Sequence, residues 1–180
     1  MLNTKQKEFF DMAAQGKNLF ITGSAGVGKS YLVNSIIEDF RKKGKTVVVC
    51  ATTGIAAINI GGFTVHNQFH IDVNTIKPRK ENINTWIEDV DLIVIDEISM
   101  MSFLLFNVIG KEINKYNKNC QIIVIGDFFQ LPPIVGDNEK RILFNRGYSD
   151  TGSYYCYHSE YWKSFNFKVC VLTETMRQED

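Results

Sequence analysis

The sequence has no long apolar run, no excess of one charge sign and no closely spaced cysteine pair. No apolar run approaches the roughly 20 residues that a helix needs to span a bilayer. The first residues, MLNTKQKEFFDMAAQG, are polar and helix-like, without the order of a secretory signal. No sign of charge is in excess, since 20 Lys and Arg balance 20 Asp and Glu. A general attraction for nucleic acid is thereby excluded, and any such binding must come from a local patch. The four cysteines, Cys50, Cys120, Cys156 and Cys170, form no C-x-x-C pair. Most sit in or beside apolar runs, where free cysteine behaves as a small core residue, and reduced cysteines suit an intracellular protein. Internal repeats, charge blocks and low-complexity stretches are also missing.

What is present is one domain's worth of chain. The 180 residues are 44% hydrophobic and 22% charged, a globular composition with enough apolar matter for a core. Short Val- and Ile-rich runs at 19–22, 46–51, 92–95, 122–125 and 168–172 do not alternate with polar residues. That pattern marks strands buried on both faces, as in a parallel sheet. Between them, Leu32, Val33, Ile36, Ile37 and Phe40 form one helical stripe, closed by Arg41, Lys42, Lys43 and Gly44. A second stripe runs through Leu105, Phe106, Ile109, Ile113 and Tyr116. The alternation predicts an α/β fold, a doubly wound, mostly parallel sheet flanked by helices. Residues 136–162, rich in Gly, Asn, Tyr and Ser, read as a surface excursion with a short aromatic helix.

Gly23-Ser24-Ala25-Gly26-Val27-Gly28-Lys29-Ser30 matches the phosphate-binding pattern G-x-x-x-x-G-K-S/T. It follows a predicted strand and opens a predicted helix, as its mechanism requires. Glycines let the backbone wrap so that N–H groups point at phosphate oxygens, and the helix start adds a positive dipole end. Lys29 is placed to reach the β- and γ-phosphates of a nucleotide, and the Ser30 hydroxyl to hold Mg²⁺. Leu92-Ile93-Val94-Ile95-Asp96-Glu97 is an apolar strand ending in two carboxylates. Ligands gather at the carboxyl ends of parallel strands, which sets these acids beside the phosphate loop. Asp96 then suits the Mg²⁺ and Glu97 the base that activates water for hydrolysis. The plainer alternative is a solvated strand end or a helix N-cap pair.

With both elements placed, the remaining segments form a family pattern. The chain resembles the superfamily-1B helicases of the petite-integration-frequency (Pif) type, over residues 2–178. The segments are LNTKQ at 2–6, GSAGVGKS at 23–30, ATTGIAAINIGG at 51–62, TVHNQF at 64–69, IDEISMM at 95–101, GDFFQLPP at 126–133 and LTETMRQ at 172–178. The phosphate loop is common to many families, whereas the TGIAA, DEISM and GDFFQLPP set is specific. The resemblance implies the first of two RecA-like P-loop ATPase domains, hydrolysing ATP with Mg²⁺ to drive 5′-to-3′ movement on single-stranded DNA and duplex unwinding. Repair, recombination and telomere maintenance are the settings of such enzymes. A second RecA-like domain, absent from these 180 residues, is the implied partner. Neither a membrane nor an oligomer is required, and the compartment is cytoplasm, or nucleus or mitochondrion in a eukaryote.

Position by position, Gln6 resembles the glutamine that bonds the adenine edge, although Asn3 and Gln6 also have capping-box spacing. Thr53 and Gly54 look like the first single-strand contact, binding phosphates without reading sequence, while a threonine there is equally an N-cap. His66 is similar to the histidine bordering the strand, and Phe69 is core or a DNA platform. Gln130 resembles a sensor of the γ-phosphate, against plain turn chemistry before two prolines. Phe128 and Phe129 offer either a stacking surface or core. Arg177 resembles the arginine that reaches the γ-phosphate, its planar fork suiting the charge of a transition state. The family's wedge is short here, and Lys77, Arg79 and Lys80 in it contact DNA or solvent. A small-molecule P-loop kinase and a nucleotide-dependent binding module without turnover are the competing functions.

Overall fold

Strands made only of β-branched and aliphatic residues gain from burial on both faces, by about 1.5–3 kcal/mol per large side chain, and that preference organises this molecule. The structure, a computed structural model, describes residues 2–79, 84–145, 147 and 154–174. In chain order the elements are α1 (Thr4–Ala14), β1 (Leu19–Thr22), α2 (Lys29–Lys42), β2 (Val47–Ala51), α3 (Gly54–Asn59), β3 (Phe63–Thr64) and α4 (Val65–Gln68). They continue with β4 (Ile71–Asp72), β5 (Lys77–Pro78), β6 (Leu92–Asp96), α5 (Phe103–Tyr116), β7 (Gln121–Ile125), α6 (Asp137–Asn145), α7 (Glu160–Ser164) and β8 (Lys168–Val171).

Six strands form one sheet in the order β3-β2-β6-β7-β1-β8, and every pairing in it is parallel. Strands β4 and β5 make a separate antiparallel hairpin. Side chains alternate between two cores. Leu19, Ile21, Leu92, Val94, Ile123 and Ile125 face α1 and α2, with Val33, Ile36 and Phe40 packed over them. Phe20, Ile93, Ile95, Ile122 and Val124 face the other way, onto Leu105, Phe106 and Ile109 of α5. The doubly wound α/β reading therefore holds, and the five predicted strands lie within one residue of their observed ends. The two-residue β3 is too short to show a period in sequence.

One expectation needs correction. Within residues 136–162 the expected short aromatic helix is α7, but the described residues 136–145 and 154–162 are more than a surface excursion. Leu143 of α6 is fully buried with Phe103 and Leu104, and Cys156 is fully buried with its Sγ on the Ile98 carbonyl at 3.5 Å. Trp162 packs its ring against Phe20 and Phe106, each at 5.5 Å. Polar composition hid three apolar anchors spaced too irregularly to form a stripe. All four cysteines are free and buried, and burial pushes the thiols of Cys120 and Cys170 up to about 12. No helix among the described residues is long and apolar enough to cross a membrane.

Gly110, inside α5, is where α7 comes closest. A Cβ there would lie 2.5 Å from both Cβ and Cγ of Tyr161. Alanine ordinarily stabilises a helix interior by about 1 kcal/mol over glycine; overpacking costs about 1–3 kcal/mol. Gly110→Ala should therefore lower the urea midpoint despite its better helix propensity. A midpoint equal to or above that of the parent would show that α7 does not seat on this glycine.

Candidate nucleotide and strand site

The switch point of the sheet lies where β1 and β6 flank β7, and the loops leaving their carboxyl ends converge there. After β1 the backbone of the phosphate loop takes conformations closed to most side chains. Gly23, Gly26 and Gly28 have φ of 143°, 79° and 80°. A Cβ on Gly23 would stand 2.2 Å from the Leu172 carbonyl oxygen, so the backbone just after β8 limits this position to glycine. Val27 is buried and roots the loop in the core beneath α2. Lys29 folds back across the loop, its Nζ donating to the carbonyls of Gly23 at 2.7 Å and Ser24 at 2.9 Å. Its charge is thus held at the loop's mouth. Gln6 is fully buried at the loop's far end. It completes the capping box with Asn3, at 2.8 and 3.0 Å, and its Nε2 donates to the Gly28 carbonyl at 3.3 Å.

After β6 the two carboxylates lie in a half-dry setting. Burial raises the Asp96 carboxyl above its usual range, opposed by a 2.8 Å hydrogen bond from the Glu97 backbone N–H and by the Lys29 charge. Burial also raises Glu97, and the charge of Asp96 raises it further, while Lys29 lowers it. Glu97 has φ 53° and ψ 43°, left-handed and uncommon for a side chain of its kind. Asp96 and Ser30 line one small cavity of about 60 Å³. A hydroxyl and one carboxylate beside a phosphate loop are the donor set that Mg²⁺ takes when phosphate oxygens and water complete its shell. The residues therefore fit a nucleotide with its magnesium, and the wrapped glycines leave the backbone room for phosphate.

On the other side of the carboxylates, the end of β2 faces a second, larger cavity of about 580 Å³, lined in part by Thr52, Thr53 and His66. Thr53 is the N-cap of α3, its hydroxyl accepting from Ala56 N–H at 3.2 Å, and Gly54 is exposed at the first position of that helix. The N-cap alternative is thus the observed local geometry, and the hydroxyl keeps its proton to donate. Burial lowers the His66 imidazole below its usual range, so it is neutral at physiological pH. Phe69 requires a correction as a DNA contact. It is fully buried, edge-on to Trp86 at 5.3 Å, because the last turn of α4 points it into the core.

The loop after β7 packs its backbone on the carboxylate turn: a Cβ on Gly126 would meet the Ile98 N–H at 3.0 Å. Gln130 is exposed and its Nε2 donates to Asp127 at 3.2 Å, so here its amide closes the turn. Phe128 packs among Phe20, Tyr157 and Trp162, whereas Phe129 is 99% exposed. Lys77 lies on β5 and Arg79 just beyond it, while Lys80 and Arg177 lie outside the described residues.

The sequence reading missed Thr52, Ser102 and Glu139. Thr52 donates through Oγ1 to the Glu97 carbonyl at 2.9 Å and through its N–H to the Asp96 carbonyl at 3.3 Å. Its one signal was its place beside Thr53. Ser102 caps α5 and donates to the buried carboxylate of Glu139, an acid that the sequence presents as an ordinary solvated helix start.

Comparison with known proteins bears on these arrangements together. The family model for PIF1-like helicase matches residues 1–180. The ATP-dependent DNA helicase Pif1 of Campylobacter jejuni is 36% identical, over 91% of this chain and 38% of its own length. PIF1 of Candida albicans is 35% identical, over 99% of this chain and 21% of its own. The crystal structure of Bacteroides Pif1 bound to ssDNA superposes with a TM-score of 0.81 at 32% identity, covering 100% of this chain and 43% of that one. The chain thus spans less than half the length of these relatives. On the strength of these matches and of the fold and loops that they share, the chain belongs to the PIF1-like helicase family.

Proposed function

We propose that the chain is the first RecA-like ATPase domain of a 5′-to-3′ DNA helicase, using Mg²⁺ and ATP to drive movement along single-stranded DNA. The observation that carries this reading is the join between the two cavities. Thr52 holds the backbone of Asp96 and Glu97, and its neighbour Thr53 lines the larger cavity with His66. A change at the carboxylates therefore reaches the strand side through one residue. Two of the relatives' solved structures fit this division, one bound to ssDNA and one in complex with ADP-AlF4.

In this reading Gly23, Ser24, Ala25, Gly26, Val27 and Gly28 wrap the phosphates, and Lys29 exchanges its two loop carbonyls for phosphate oxygens. Ser30 and Asp96 would hold Mg²⁺, which would supply charge neutralisation at the phosphates. Glu97, its carboxyl raised above the usual range by burial and by the Asp96 charge, takes the proton of the attacking water. Gln130 trades its bond to Asp127 for the γ-phosphate, Arg177 stabilises the charge of the transition state, and Gln6 offers its amide to the adenine edge. Thr53, Gly54 and His66 bind the strand's backbone. The second RecA-like domain supplies the facing wall.

Glu97→Gln keeps shape and hydrogen bonding but loses the base. Nucleotide binding should persist while steady-state ATP turnover falls by about 10²-fold or more. Parallel loss of both would give Glu97 a structural role instead. The 180-residue chain alone should bind ADP or ATP with Mg²⁺, hydrolyse ATP slowly and unwind nothing. A facing cation is worth about 10³-fold or more in related phosphoryl transfer, and alternating grips need two domains. Robust strand separation by this chain on a forked duplex would overturn the two-domain reading.

Asp96 also carries a stability consequence. Its folded pKa is raised above the ordinary 3.8, so protonation favours the fold. Its contribution is fully present below 3.8 and is lost as pH rises through the raised value, leaving a charged, half-buried carboxylate that destabilises at neutral pH. Without nucleotide, Asp96→Asn should melt above the parent at pH 7, and the gap should close below about pH 3.8. Calorimetry showing a lower melting point at pH 7 would contradict the desolvation argument.

A further inference from the structure

We propose that the 580 Å³ cavity beside Thr53 and His66 is a nucleobase pocket, in which one base of a bound single strand leaves the stack and lodges between α4 and the start of α6. The inference rests on the single-strand reading above and adds which part of the strand enters. Size permits it, since pockets for ligands of this class run from about 300 to 1,000 Å³.

Charge decides the orientation. Thr53 and His66 stand on one side, neutral donors suited to phosphate oxygens. The first turn of α6 also lines the cavity, and it carries Asp137 and Glu139. Those acids already answer the helix's positive end, so that wall repels phosphate. A strand crossing here must turn its backbone toward Thr53 and an uncharged part toward α6. Much of the remaining lining is apolar: Val73, Ile76, Met100, Leu105 and Ile134. Val73 is 63% exposed and Ile134 83% exposed, so both present apolar surface to whatever enters the cavity. A flat, neutral base with apolar faces covers such a surface. At the rim, the amides of Asn74 and Asn138 both donate and accept, so they can satisfy the edge of any base without selecting one.

The pocket is also built in advance. Glu139 is buried, its carboxylate bonded to the Ser102 hydroxyl, which in turn accepts from Leu105 N–H at 3.2 Å. Leu143, one turn further along α6, is fully buried against Phe103 and Leu104. The acidic wall is therefore fixed to α5 from within, and a base that enters meets a standing cavity.

The test compares a short single-stranded oligonucleotide with one of equal length that is abasic at every position, both titrated by fluorescence anisotropy. Binding of the abasic strand should be about tenfold weaker, or about 1.4 kcal/mol. The double variant Val73→Ala, Ile134→Ala alters two exposed side chains and leaves the cores intact. It should bring the two affinities to near equality by weakening the ordinary strand alone. That second arm separates the pocket from base–base stacking, which the abasic strand also loses. Equal affinities in the parent protein, or an unchanged ratio in the double variant, would overturn the pocket and leave backbone binding standing. No binding of the ordinary strand at all would remove the single-strand reading and the pocket with it.

Discussion

Two adjacent carboxylates at the end of a fully buried strand impose the constraint on which the rest of the site depends. The residues Leu92, Ile93, Val94 and Ile95 must be dry to hold the sheet together, and Asp96 follows with no loop to carry it into water. Desolvation raises both Asp96 and Glu97, and the fold answers with what lies nearby: a backbone N–H on Asp96 and the Lys29 charge on both. None of these answers is complete, and a site that stays electrostatically unsatisfied is one that gains from a cation.

The same turn ties the molecule's regions together. Thr52 grips it from the end of β2, Gly126 packs against it from the loop after β7, and, two residues beyond the 3-10 turn Ile98–Met100, Ser102 holds α6 through Glu139. Ser102 also pairs its backbone with Tyr155, whose ring stands against Phe128 of the Gly126 loop. Close packing makes such a junction stiff, so a shift at Glu97 moves several elements at once instead of being absorbed locally.

Much of the fold was legible because its signals are local. Continuous Val and Ile runs reveal strands buried on both faces, the stripe from Leu32 to Phe40 reveals α2, and the glycine pattern at 23–30 reveals a backbone shape that side chains would block. Phe69 was not decidable, since core and platform both ask for an aromatic ring and only the turn of α4 chooses between them. Residues 136–162 misled for the opposite reason, as their few apolar anchors are far apart in sequence and meet only on α5.

By itself, the sequence determined the parallel α/β sheet, the phosphate loop with Lys29 and Ser30, and the acidic end of β6, because each is written in contiguous residues whose spacing states its geometry. Tertiary structure alone decided that Ser30 and Asp96 share one cavity, that Thr52 joins the Glu97 backbone to the larger cavity, and that Glu139 is buried on Ser102 and not a solvated acid. The physical reason is distance along the chain. These pairs are brought together by strand order and by helices docking on opposite faces, and desolvation, which sets their chemistry, exists only once the cores have closed.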